Sequence, residues 1–83
     1  MNTYTILLDT IEKVKRFVSI TGRYDNLDIT ITGGKYRVDG KSIMGVFSLN
    51  LSDTLEMCIE QKDKESIAEL VNDLTPFIID NTN

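Results

Sequence analysis

The 83-residue chain contains no histidine, one cysteine and one proline. The absence of histidine removes the side chain that titrates nearest neutral pH and a common zinc ligand. Because Cys58 has no second cysteine, we expect no disulfide framework, no redox or metal site and no cofactor. By strand alternation Cys58 is expected to lie half-exposed on a polar face. The glycine-rich motifs that cradle phosphates, GxGxxG and GxxxxGK[ST], are missing too.

Long apolar runs are also missing, since the longest uninterrupted one covers only a few residues. This excludes a transmembrane helix, and residues 1–5 lack the basic start and apolar core of a signal peptide. We therefore expect a cytoplasmic protein without membrane insertion. A chain of this length has room for one domain, residues 1–83.

The net charge of −4 is unevenly distributed. Residues 1–50 carry seven Lys or Arg against five Asp or Glu, whereas residues 51–83 carry two against eight. The acidic balance argues against a nucleic acid partner. The local basic group of Lys13, Lys15, Arg16 and Arg23 has two interpretations, a solvated helix face or a contact with an acidic protein surface or an anion.

Alternating and helical spacings predict the elements of the first half. Residues 3–8 read as a strand, and Asp9 or Thr10 can cap a helix that ends at Gly22. Residues 27–32 are the clearest strand, with Leu27, Ile29 and Ile31 on one face. Gly33-Gly34 reads as a two-residue hairpin turn. Residues 35–39 form the returning strand, with Tyr36 and Val38 directed inward.

The second half contains three more elements. Ser42 is a good N-cap for a short helix through about Leu49. Residues 55–59 alternate as a fourth strand, and a helix beginning near Lys64 has a buried stripe at helical spacing. Pro76 is expected to kink or restart that helix before residues 77–79, because proline has no N–H donor.

The resulting order is βαββαβα. Each strand has one apolar and one polar face, so helices are expected to cover one face of the sheet only. The sequence therefore predicts an α+β open-faced β-sandwich, with a four-stranded, mainly antiparallel sheet and its helices on one face.

The segment Lys41-Ser42-Ile43-Met44-Gly45-Val46, with Ser48-Leu49 after it, resembles the regulatory-serine helix of the HPr family. Members of this family are histidine-containing phosphocarriers of the bacterial phosphoenolpyruvate-dependent sugar phosphotransferase system. Arg23-Tyr24-Asp25 resembles the end of the family's first helix, and Glu56 lies in a strand like the one that comes after the serine helix. About three-quarters of the chain fits this pattern. The resemblance implies the HPr-like fold and roles in sugar transport and carbon catabolite regulation.

The family's active-site loop has no counterpart here. Members carry a Gly-x-His-Ala-Arg-Pro-Ala-like segment between the first strand and first helix, and this chain reads Leu8-Asp9-Thr10-Ile11-Glu12-Lys13-Val14. The region is about three residues shorter, and no family active-site residue can be transferred onto it. Accepting phosphate from a phosphohistidine needs an imidazole nucleophile. In this respect the chain is similar to the catabolite-repression HPr homologue, which lacks the active histidine but keeps the regulatory serine.

The resemblance makes Ser42 a candidate for regulatory phosphorylation by an ATP-dependent kinase. The alternative is that Ser42 is only an N-cap, which stabilises by about 1 kcal/mol without modification. Ile43, Met44 and Phe47 are candidates for partner docking, as the equivalent family surface is. The alternative is that two of the three pack onto the sheet. Lys13, Lys15 and Arg16 are further docking candidates.

Three classes of function remain. The first is a non-catalytic regulatory domain that binds proteins: phosphotransferase-system components, a kinase or a transcriptional regulator. The second is a diverged HPr paralogue without a phosphotransfer role, recruited as a structural or binding module. The third is an enzyme, because small βαββαβ domains include acylphosphatases, but residues 8–11 offer no arginine-containing phosphate loop. We expect no catalytic residues and no enzyme activity.

Overall fold

The computed structural model describes residues 2–60 and 63–81. Five strands form one antiparallel sheet in the order β3-β2-β4-β1-β5. The elements lie along the chain as β1 (Asn2–Ile6), α1 (Ile11–Thr21), β2 (Ile29–Gly33), β3 (Tyr36–Asp39), α2 (Ile43–Phe47), β4 (Leu55–Ile59), α3 (Lys64–Asp73), a 3₁₀ turn (Thr75–Phe77) and β5 (Ile78–Asn81). The predicted α+β class and antiparallel sheet are confirmed.

One hydrophobic core lies between the sheet and the helices. Alternation directs Ile29 and Ile31 of β2 to the same face as Leu55, Met57 and Ile59 of β4, and all five are buried. The helices contribute their apolar stripes to this core: Val14 and Phe17 from α1, Val46 from α2, and Ile67 and Leu70 from α3. Phe17 also meets Phe77 edge-to-face, with ring centroids 6.0 Å apart.

The predicted count of four strands is wrong. Helix α3 ends at Asp73, Pro76 lies inside the 3₁₀ turn Thr75–Phe77, and the chain then forms strand β5, which pairs with β1. The Leu7 N–H donates to the Phe77 carbonyl at 2.9 Å and so brings this segment beside the first strand. Two β-branched residues, Ile78 and Ile79, favour this extended conformation.

The hairpin between β2 and β3 turns one residue later than predicted. Gly33 belongs to β2 and pairs with Tyr36, so the turn residues are Gly34 and Lys35. Gly34 has φ +58, a left-handed conformation that glycine adopts without strain. The prediction that Tyr36 is directed inward is wrong, because its side chain is 68% exposed at the end of an edge strand.

The prediction that Cys58 is half-exposed is also wrong, since it is buried. It lies on the central strand β4, where Thr3 of β1 and Thr30 of β2 are its cross-strand partners. A small side chain between two neighbouring strands is covered by their side chains even on the uncovered face of the sheet.

In the two described stretches, no helix combines the length and apolar character that crossing a membrane requires.

Candidate functional site

Ser42 is the N-cap of α2. Its extended backbone (φ −99, ψ 114) precedes the first turn, and its Oγ accepts a hydrogen bond from the Gly45 N–H at 3.1 Å. The Ser42 N–H donates to the Asp39 carbonyl, and its own carbonyl accepts from Val46. Ser42 is half-buried, and its hydroxyl is already engaged in capping.

The segment before Ser42 is fixed to the end of α1. The Thr21 hydroxyl, which is fully buried, donates to the Gly40 carbonyl at 2.9 Å. The Lys41 ammonium donates to the Tyr24 carbonyl at 2.6 Å. A Cβ on Gly40 would lie 2.6 Å from Cγ2 of Ile29, so only glycine fits where this segment runs beside β2. These contacts determine where α2 begins.

Gly45 lets α2 pack closely on β3. A Cβ at this position would lie 3.2 Å from the Val38 Cβ and 3.3 Å from the Ser42 Oγ. Both distances are tighter than ordinary van der Waals contacts, so a side chain there would press on the edge strand and on the capping hydroxyl together. The absence of a side chain at Gly45 thus preserves the Ser42 cap.

The outer side of α2 carries an apolar patch. Met44 is 81% exposed, and Ile43 and Phe47 are each 39% exposed, whereas Val46 is fully buried. We call Ile43, Met44 and Phe47 the α2 patch. Neighbouring exposed apolar side chains beside a polar residue such as Ser42 are typical of protein interaction sites.

The N-terminus of α1 is capped by a local hydrogen bond and flanked by an ion pair. The Thr10 Oγ1 accepts from the Lys13 N–H at 3.1 Å, and the Lys13 ammonium lies 2.8 Å from an Asp9 carboxylate oxygen. The hydrogen bond from Lys13 lowers the pKa of Asp9 below its ordinary value. Lys13, one of the three basic docking candidates, is therefore occupied by this ion pair.

The other two candidates lie farther along α1 beside a third cation. Lys15, Arg16 and Arg23 line one concavity of about 400 Å³, together with Ser19, Ile20 and Asp73. We call Lys15, Arg16 and Arg23 the α1 basic cluster. Arg23 is not among the predicted docking residues. Arg23 lies two residues beyond the end of α1 and seven positions after Arg16. This helical spacing is the sequence feature that could have added Arg23 to the docking residues.

A buried tyrosine joins the end of α1 to α3. The Tyr24 hydroxyl donates to an Asp73 carboxylate oxygen at 2.7 Å. Burial, together with the hydrogen bond to Asp73, raises the pKa of Tyr24 to about 12. Because Asp73 also borders the concavity of the α1 basic cluster, this hydrogen bond fixes the acidic side of that surface.

Within the residues that the structure describes, no group of three or more cysteine, aspartate or glutamate side chains is placed to hold a metal ion. Cys58 is buried and free.

Residues 12–78 match the family model for PTS-HPr, described as the PTS HPr component phosphorylation site. Among solved structures, the chain is similar to HPr-C-His from Thermoanaerobacter tengcongensis, with 26% identity, a TM-score of 0.69 and coverage of 87% of this chain and 89% of that one. It is also similar to the phosphocarrier protein HPr from Bacillus anthracis str. Ames, with 22% identity, a TM-score of 0.62 and coverage of 86% and 93%. This second likeness shows the fold. No curated protein matches the chain significantly.

The matched region runs from the first turn of α1 to the first residue of β5, so it includes Ser42, the α2 patch and the α1 basic cluster. It covers more than half of the chain, and the solved HPr structures have the same fold over most of its length. The chain therefore belongs to the HPr family, the phosphocarrier family of the phosphotransferase system.

Proposed function

We propose that this member of the HPr family does not carry phosphate on histidine and acts instead by binding other proteins in the cytoplasm. Its partners are phosphotransferase-system components, a kinase or a transcriptional regulator, and it is not an enzyme. The single observation that carries the proposal is that the chain contains no histidine. The phosphocarrier chemistry of the family depends on an imidazole, which no other side chain replaces near neutral pH.

The N-terminus of α1 supports this proposal. The family's histidine segment lies between the first strand and first helix, and here that segment ends in Thr10, whose hydroxyl caps α1. The Thr10 Oγ1 accepts the Lys13 N–H, and the carboxylate of the neighbouring Asp9 is hydrogen-bonded to the Lys13 ammonium. A threonine hydroxyl is a weak nucleophile.

The α2 patch supports the binding role. All three of its residues expose apolar surface, whereas Val46 of the same helix is fully buried. Removing a partly exposed methionine or phenylalanine from water is a favourable term in protein association, and fully buried aromatic anchors dominate many interfaces. The α1 basic cluster provides charged groups that an acidic partner would complement.

We further propose that phosphorylation of Ser42 regulates this binding, as the family resemblance implies. In that step the Ser42 Oγ attacks the γ-phosphorus of ATP, its proton passes to a base of the kinase, and ADP leaves. The reaction must break the hydrogen bond between Ser42 Oγ and the Gly45 N–H, after which a phosphate oxygen can accept the same N–H. The phosphate would lie beside the α2 patch and change the charge of the docking surface.

Incubation with an HPr kinase and ATP, and then mass spectrometry, tests the Ser42 step. We expect one phosphate on the wild type and none on Ser42→Ala. Ser48→Ala is the matched control, because Ser48 lies at the other end of α2 and is exposed. No labelling of the wild type would contradict the proposal and favour the alternative of a recruited binding module. Labelling that persists in Ser42→Ala would contradict it too, because the phosphate would then lie on another residue.

A further inference from the structure

The outer edge of β3 has backbone groups that no strand of the sheet pairs, because β3 is the terminal strand in the order β3-β2-β4-β1-β5. In a two-residue hairpin the residues that flank the turn form a hydrogen-bonded pair, here Gly33 and Tyr36, and such pairs then alternate. The Gly40 N–H donates to the Ile29 carbonyl at 2.8 Å, which agrees with this alternation. The N–H and C=O groups of Arg37 and Asp39 therefore point away from the sheet.

On one face of the sheet, β3 carries one positively charged and one negatively charged side chain. Arg37 and Asp39 lie on the face away from the helices, and both are exposed. Within the described part of the chain the Arg37 guanidinium forms no ion pair. On the other face Val38 is half-buried and Tyr36 is 68% exposed. An edge strand is normally protected by charges that repel a second strand, but a strand with one positive and one negative side chain can complement a copy of itself.

Within β3 itself, Tyr36–Asp39, only one antiparallel register puts opposite charges across from each other. Residues whose backbone groups point outward must oppose each other, so within β3 Arg37 can face Arg37 or Asp39 of a second copy. Arg37 opposite Arg37 and Asp39 opposite Asp39 each place like charges in contact. With Arg37 opposite Asp39, two opposite-charge pairs form and Val38 faces Val38.

From this edge we propose that two copies of the chain associate by antiparallel pairing of their β3 strands, with Arg37 of each opposite Asp39 of the other. The sheet then continues through ten strands, and the interface is isologous. The other edge strand, β5, contains Asp80 and no basic residue, so antiparallel self-pairing there offers no opposite charge.

The pairing is weak, for two reasons. The Asp39 carbonyl already accepts from the Ser42 N–H at 3.0 Å, and the Asp39 carboxylate accepts from the Lys41 N–H at 2.9 Å, so both groups must be shared with Arg37 of the second copy. Two edges of four residues each also bury less than the ~1,200 Å² of a standard stable interface. We therefore expect a dimer that dissociates on dilution. The shared carbonyl also links the dimer edge to the segment that ends at Ser42.

Sedimentation equilibrium of the full chain between about 20 µM and about 1 mM tests the proposal, because interfaces of this size are transient. The wild type should shift from monomer toward dimer as concentration rises. Arg37→Asp should weaken the dimer by at least about tenfold, since it puts two carboxylates across from each other. The double variant Arg37→Asp/Asp39→Arg should regain the association, because the opposite-charge pairs return in exchanged positions.

Lys64→Glu is the matched control, because it also reverses an exposed positive charge but lies at the start of α3. It should associate as the wild type does. A wild type that stays monomeric throughout, or a dimer that Arg37→Asp leaves unchanged, would overturn the proposal.

Amide chemical shifts measured by NMR over the same dilution series locate the interface. The largest changes should fall on Arg37 and Asp39, whose N–H groups gain partners, and thermal unfolding of each variant verifies that the fold is kept. Changes centred on the α2 patch instead would overturn pairing through β3.

Discussion

Replacing Met44 with alanine should separate docking from folding. Met44 is 81% exposed, so about one-fifth of its side chain is buried. Since full burial of a methionine side chain contributes about 1.5–3 kcal/mol, the loss should be roughly 0.3–0.6 kcal/mol. Alanine also has the higher helix propensity, which offsets part of this loss. The free energy of unfolding, measured with urea and far-UV circular dichroism, should fall by no more than about 0.5 kcal/mol.

Alanine variants of two neighbouring residues provide reference values for this loss of unfolding free energy. Phe47 is 39% exposed and therefore mostly buried, so Phe47→Ala should cost about 2–3 kcal/mol. Val46 is fully buried, and Val46→Ala should cost about 2 kcal/mol through lost burial and the cavity it leaves. A loss above about 2 kcal/mol for Met44→Ala would show that docking and folding are not separable here, because it would place Met44 among the residues that hold α2 to the sheet.

The same variant tests docking when an HPr kinase serves as the partner. If the α2 patch is the docking surface, kcat/KM for phosphorylation of Ser42 should fall by about tenfold or more in Met44→Ala, because central apolar anchors contribute more than 1 kcal/mol to binding. An unchanged kcat/KM, with the fold intact, would show that the kinase does not use Met44.

Three further perturbations each remove or alter a single contact. Ser42→Ala should lower the free energy of unfolding by about 1 kcal/mol in a urea titration, because the cap to Gly45 is lost; no change would mean that the cap contributes nothing. Gly40→Ala should lower it by about 1–3 kcal/mol, since the new Cβ would lie 2.6 Å from Cγ2 of Ile29, and an unaltered thermal midpoint would contradict this close packing. The raised pKa of Tyr24 favours its neutral form in the folded state, so its stabilisation is complete below pH 10 and is lost between pH 10 and about 12. Tyr24→Phe should therefore make the free energy of unfolding less dependent on pH in that window, and an identical slope would count against the buried hydrogen bond.

The sequence predicts the strands best where side chains alternate strictly. Ile29 and Ile31 alternate with threonines, and the structure confirms that they face the core. The last strand is not predicted, because Pro76 explains the end of α3 equally well whether a helix or a strand comes next. The strand depends on pairing with β1 and on the hydrogen bond from Leu7 to Phe77, which are contacts between residues more than sixty positions apart.

Alternation alone also misplaces residues at the two extremes of a sheet. Inward–outward alternation along β3 predicts that Tyr36 is buried, but Tyr36 lies at the end of this edge strand, where little covers it. Alternation along β4 predicts that Cys58 is exposed, but Cys58 lies on the central strand, between two threonines of the neighbouring strands. Strand order decides both cases, and strand order is a tertiary property that local periodicity does not contain.

The candidate site also has one part that the sequence predicts and another that it does not. The capping role of Ser42 is local, so the sequence predicts it and the structure confirms the hydrogen bond to Gly45. The basic candidates depend on partners that the sequence does not reveal. Lys13 is held by Asp9, and Arg23, two residues beyond the end of α1, lines the same concavity as Lys15.

Phosphotransfer from phosphoenolpyruvate is the most direct test of whether this chain lacks the phosphocarrier role. The chain is mixed with the upstream phosphotransferase-system enzyme and labelled phosphoenolpyruvate, and a histidine-containing HPr in a parallel mixture verifies that the enzyme is active. Because the chain contains no histidine, we predict no acid-labile phosphate on it. An acid-labile phosphate on this chain, at a level comparable to the histidine-containing control, would contradict the proposed loss of phosphotransfer.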